Sequence, residues 1–157
     1  MQRITMRRIN RSEDKEATIT ALIRDEDNNK KGVFPTKWQL LTFSAMLGYR
    51  NERKEKLKTI SSGKGIDAET FMKDPCFEGV VNLFSLMESE DEQQLTSNTE
   101  NDNQKISLFE EYANGGLAIL KEQLETSNYQ LDSVITLIAE ELHKGPSVDD
   151  ELDTIQI

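Results

Sequence analysis

The sequence is poor in the residues that most enzyme sites are built from. A single cysteine, Cys76, admits no disulfide within the chain, and a single histidine, His143, rules out the clustered nitrogen and sulfur ligands of the usual zinc patterns. A cysteine–histidine nucleophilic pair would rest on these two isolated residues alone, and His143 reads more simply as a cation at a helix end. The phosphate-cradling pattern that ends in GK[ST] is missing: SSGKG at 61–65 has the lysine but neither the spacing nor the following hydroxyl, and reads as a loop. No apolar run approaches the roughly 18 residues needed to cross a bilayer. No charged-apolar-small signal pattern stands at the start, so a reducing cytoplasm is the expected compartment and no membrane partner is expected. Carboxylates abound, but those in the 88–92 and 149–153 runs are typical of solvated chain and not of a paired acid and base. The expectation is a protein with no catalytic residue, no metal and no cofactor.

Only three prolines and eight glycines punctuate a chain that is 36% hydrophobic and 31% charged, which suits a charged helical protein better than a turn-rich β-protein. At 157 residues it is about one domain's worth of chain. The net charge of −10 conceals a division. Residues 1–64 hold 15 of the 19 bases and 8 of the 29 acids, a balance of +7, whereas residues 65–157 carry −17. Either the two halves meet different partners, or they attract one another within the fold.

Hydrophobic period and turn residues predict a mainly α fold: one compact domain of about five helices over 1–144, with an acidic tail at 145–157. MQRITMRRINR at 1–11 alternates basic and apolar residues, as a short strand or an arm would. Ser12, followed by Glu13, Asp14 and Glu16, reads as an N-cap for a helix running to about Arg24. In FPTKWQLLTFSAMLGYRNERKEKL at 34–57, Thr36 caps a helix whose Phe34, Trp38, Leu41, Ala45, Met46 and Tyr49 recur at spacings of three and four, widened by Leu40, Phe43 and Leu47. Gly48 falls near its end, and a cationic run carries the chain out. Asp67 offers a further cap, and Phe77–Met87 reads as a buried helix entered through Asp74-Pro75. Residues 88–104, ESEDEQQLTSNTENDNQ, are too polar to repay the entropy of ordering and read as a mobile linker. A block from Ile106 to Leu124 follows. The clearest helix runs from Leu131 to Leu142, with Leu131, Val134, Ile135, Ile138, Ala139 and Leu142 as its apolar stripe and Gly145-Pro146 beyond it.

Two adjacent glycines, Gly115 and Gly116, fall within the block from Ile106 to Leu124. They could continue the helix as a packing device, kink it, or form a phosphate-binding turn. Phe109, Tyr112, Ala113, Gly116, Leu117, Leu120 and Leu124 keep one helical phase through the pair, which favours a continuous helix. Glycine inside a helix costs roughly 1 kcal/mol against alanine, so close approach of another backbone, that of the 34–49 helix, is the economical reason. On this reading Gly116 faces the core and Gly115→Ala is mild.

Two basic groups are the candidate binding residues: Arg3, Arg7, Arg8 and Arg11 in the arm, and Arg50, Arg53, Lys54, Lys56 and Lys58 after the central helix. Their density suits phosphates or an acidic protein surface, and equally a solvated face. As surface groups at a helix exit, Arg50, Arg53 and Lys54 should tolerate reversal to glutamate. Trp38 and Tyr49 could stack on bases, but their phase assigns them to the core.

MRRINR at 6–11, the central FPTKWQLLTFSAMLGYRNERK and the later FEEYANGGLAIL resemble the pattern of the DNA phosphorothioation-associated protein 4 family. Its members are small proteins encoded beside bacterial systems that place sulfur in the DNA backbone and restrict unmodified invaders. The three blocks span about half the chain, and the acidic linker and tail lie outside them. The resemblance implies a non-enzymatic accessory or regulatory role in anti-phage defence, partnered by a larger nuclease or ATPase component. It carries over no catalytic residues, and it marks Arg50, Arg53, Lys54, Tyr112, Asn114, Gly115 and Gly116 as family-like positions. The alternative is a DNA-binding module that uses the arginine arm and the 50–58 cluster.

Overall fold

The computed structural model describes residues 7–25, 27, 32–89, 99–126 and 130–144. Among these the chain is mainly helical, without a sheet. A 3-10 turn at Glu13–Lys15 leads into α1 (Glu16–Leu22). Then come α2 (Lys37–Arg50), α3 (Ala68–Phe71), α4 (Pro75–Ser89), α5 (Thr99–Glu125) and α6 (Gln130–His143).

The central helix α2 starts where its cap predicts. Thr36 is extended, and its hydroxyl accepts the Gln39 amide at 3.3 Å. Its exit is equally defined. Arg53 N donates to Gly48 O at 2.8 Å and Glu52 N to Tyr49 O at 3.1 Å, the paired bonds of a Schellman cap, with Glu52 (φ 52°) in the left-handed position where glycine is commonest. The chain leaves as an extended strap, residues 53–60, laid along α5. Glu55 N donates to Glu111 O at 3.0 Å, and the buried Asn114 amide donates to the carbonyls of Glu55 and Lys56 at 3.3 and 3.2 Å.

Among the described residues of the N-terminal stretch, 7–11, the chain runs as an arm without a strand. Isolated antiparallel bridges join Ile9 to Ile66 and Ser12 to Ile60, and residues 1–6 lie outside the described residues. Ser12 departs from its expected duty: its hydroxyl caps no helix, but accepts the Lys58 amide at 3.2 Å and donates to Asp14.

α2 crosses α5 at glycines. The helix runs unbroken through Gly115 and Gly116, and a Cβ on Gly116 would overlap the Ser44 carbonyl of α2, while one on Gly48 would overlap the Tyr112 carbonyl of α5. The expected approach of the 34–49 helix is therefore present. Gly115 departs from expectation. A Cβ there would overlap the Arg53 carbonyl of the strap, so both glycines are needed, one for each neighbouring backbone. Aromatic rings fill the space beside the crossing: Phe71, Phe77 and Phe109 meet with centroids 5.1 to 5.6 Å apart, and Tyr49 stacks on Phe84 at 4.8 Å beside Tyr112.

Both ends of the polar segment expected to be a linker are helical. α4 holds Glu88 and Ser89, and α5 begins at Thr99, so helix enters 88–104 from both sides and only 90–98 lies outside the described residues. Once a helix is anchored by packing, each further residue adds a hydrogen bond, and polar positions extend it.

α6 forms where predicted, yet buries a different face. Ser133, Val134, Leu137 and Glu141 are buried, whereas Ile135, Ile138 and Leu142 of the expected stripe are 55%, 41% and 75% exposed. The correction has an electrostatic cause. Glu141 receives Arg50 Nε at 2.9 Å, Asn51 Nδ2 at 3.2 Å and Lys144 Nζ at 2.7 Å, which turns its side of the helix inward.

Candidate functional site

The two basic groups expected to bind a partner come together around the strap, where most are held by carboxylates of the same chain. Arg7 grips Glu110 with both terminal nitrogens, at 2.6 and 3.0 Å, and donates to Ser107 at 2.8 Å. Arg8 Nε reaches Asp67 at 2.8 Å on the exposed surface. Arg11 is buried against Glu16. Arg50 donates to both the side chain and the backbone carbonyl of Glu141. Arg53 bridges Glu55 at 2.8 Å and Glu122 at 2.8 and 3.0 Å, and Lys54 meets Glu88 at 3.1 Å. Arg3 lies outside the described residues.

Five of these contacts, Arg7–Glu110, Arg8–Asp67, Arg50–Glu141, Arg53–Glu122 and Lys54–Glu88, join a base before residue 65 to an acid after it. The opposite charges of the two halves thus meet inside the fold. Lys56 and Lys58 differ. Extended backbone sends alternate side chains to opposite sides, so Lys54, Lys56 and Lys58 are exposed while Arg53, Glu55 and Leu57 are half-buried. Among the described residues Lys56 and Lys58 carry no ion pair.

Protonation follows from these contacts. Hydrogen bonds from Tyr112 (2.7 Å) and Lys54 hold the Glu88 carboxyl below its ordinary range. Burial, reinforced by the bond to Glu88, pushes the Tyr112 phenol well above its own. Burial alone would raise Glu141, but Lys144, Asn51 and Arg50 outweigh it and leave the carboxyl lowered. Glu16 behaves alike, with Arg11 and Ser61 overcoming desolvation. Arg53, bonded to Glu122, is held still more firmly protonated.

Trp38 is half-buried against the core, Tyr112 and Gly116 are buried where α2 crosses α5, and Gly115 is buried against the strap. Sequence reasoning missed Glu88, Glu110 and Glu141 as organising residues, and marked Asn114 as a family-like position without giving it a duty. For Glu141 a signal existed: it stands four after Leu137 and seven after Val134, in one helical phase with them.

The described surface carries hollows of two kinds, one shallow and one apolar. A shallow depression of about 630 Å³ is lined, among the described residues, by α5 from Glu100 to Glu111. A smaller groove of about 190 Å³ lies between α2 and α6, with Phe43, Met46, Leu47, Leu137, Ile138 and Leu142 as its apolar lining and Arg50 and Glu141 beside them. No helix among the described residues is long and apolar enough to cross a membrane.

No curated protein and no solved structure matches the chain. A family model does match, over residues 8–157, running through the polar segment and the tail that the three resembling blocks leave out, and the chain belongs to that family, DNA sulphur modification system-associated protein 4.

Proposed function

We propose that this protein is a non-enzymatic accessory or adaptor of a bacterial anti-phage defence system linked to DNA phosphorothioation, acting through protein–protein contacts. One observation carries the reading. Among the described residues the guanidinium groups on which a DNA-binding role would rest, those of Arg7, Arg8, Arg11, Arg50 and Arg53, are engaged by this chain's own carboxylates, so using them on phosphates would mean breaking contacts within the fold, most of which join the two halves. Family membership supplies the system; a larger nuclease or ATPase component is the partner the reading calls for.

The DNA-binding alternative retains Lys56 and Lys58, with Lys54 beside them, as a short comb on the strap. The test separates the two. Purified tagged protein should leave duplex DNA unbound at physiological salt and should co-purify from its host with a larger component of the system. Duplex binding that weakens steeply with salt, and that Lys56→Glu with Lys58→Glu removes, would overturn the adaptor reading in favour of the strap.

A further inference from the structure

The exposed side of α6 is apolar at helical spacing, with Ile135, Ile138 and Leu142 three and four residues apart, and Met46 of α2 is 45% exposed across the groove. Side chains of this kind ordinarily face a neighbour. We propose that the α2–α6 groove is the docking site of this chain's own C-terminal segment, residues 148–157 (VDDELDTIQI), held there as an internal ligand.

Five observations select this occupant. The last described residue, Lys144, is two positions beyond the groove residue Leu142, so the segment starts at the rim. Its reach is ample: eight residues from Lys144 to Leu152 span up to about 26 Å when extended, whereas Ile138 to Lys144 along α6 is about 9 Å. Its pattern fits, because Val148, Leu152 and Ile155 stand four and three apart, the spacing that sets apolar side chains on one helical face, while Asp149, Asp150, Glu151 and Asp153 fall between them. Its charge is met at the rim by the Lys144 ammonium, which is bonded to Glu141 and Asn51 but is still 57% exposed and stands shortly before those acids begin. The family match also runs to residue 157 and so includes the segment in the family's own pattern. A tether this short gives an effective concentration on the order of millimolar, at which a few aliphatic contacts suffice. The inference is independent of the adaptor reading; a partner that used this groove would have to displace the segment.

Paramagnetic broadening in the full chain tests it. With Cys76→Ser removing the exposed native thiol, a nitroxide is attached through Thr154→Cys and methyl NMR signals are recorded. Docking predicts that Met46, Ile138 and Leu142 lose more than half their intensity, while Ile60 and Met72, exposed apolar groups on other parts of the chain, keep theirs. Adding Leu152→Asp and Ile155→Asp should restore the lost signals. A sample mixing isotope-labelled chain without nitroxide and unlabelled chain with it should show no loss. Overturning results are intensities that never fall, a loss indifferent to the two aspartates, or a loss as large in the mixed sample, which would make the occupant a second copy.

Discussion

Gly115 and Gly116 show how two identical neighbours can serve separate contacts. Each lies where a β-carbon would collide with backbone, Gly116 with Ser44 of α2 and Gly115 with Arg53 of the strap. Carbonyl groups fixed by their own helix or strap cannot swing aside as a flexible side chain would. Gly115→Ala and Gly116→Ala should therefore each destabilise the fold, by about 1–3 kcal/mol or more, outweighing alanine's better helix propensity. Gly79 supplies the contrast. It is exposed in α4 with open space around the Cβ position, and Gly79→Ala should stabilise by up to about 1 kcal/mol. Urea unfolding of the three variants checks this; a mild effect at Gly115 would restore the expectation drawn from sequence alone.

At the scale of the element, α6 depends on a charge that its hydrophobic pattern does not reveal. Glu141 is buried at the end of that helix and is paired with Arg50 of α2, so Arg50→Glu would set two carboxylates together in a poorly solvated place. Amide exchange across 130–144 should accelerate first and most, with the α2–α5 pair protected longer, and Glu141→Gln should produce a smaller change in the same amides. This reverses the expectation that the Arg50, Arg53 and Lys54 cluster tolerates reversal freely. Those side chains tie α2 and the strap to α6, α5 and α4. Unchanged exchange in α6 for Arg50→Glu would show that Val134 and Leu137 alone hold the helix.

For the whole molecule, the joining of a basic and an acidic half makes stability depend on pH at both ends. Glu16, Glu88, Glu122 and Glu141 have folded-state pKa values below their ordinary 4.5. Their contribution is therefore fully present above about pH 4.5 and is lost as pH falls through the lowered folded values, because the unfolded chain binds more protons there. Tyr112 works in the opposite sense. Its phenol is raised above the ordinary 10.0, so its contribution is present below that pH and is lost as pH rises beyond it toward the folded value. The melting temperature should form a plateau between these limits, and Tyr112→Phe should flatten the alkaline fall and, because it removes the hydrogen bond that lowers Glu88, soften the acid fall as well.

Sequence determined the helices themselves, because their cause is local. Apolar side chains three and four apart, the Thr36 cap and one phase maintained through Gly115 and Gly116 place α2, α5 and α6 without knowledge of any neighbour. The blocks shared with the family are legible for the same reason, since they are stretches of chain. Which face of α6 turns inward, why Gly115 is indispensable, and where the arginines point were decided by tertiary structure alone. Each depends on a residue far off in sequence: Arg50 for Glu141, the Arg53 carbonyl for Gly115, Glu110 for Arg7. Period reports that a helix has an apolar stripe, but burial follows the total free energy of contact. A carboxylate satisfied by three donors can outcompete an isoleucine for the inside, and Glu141 lies inward while Ile135 and Leu142 remain exposed.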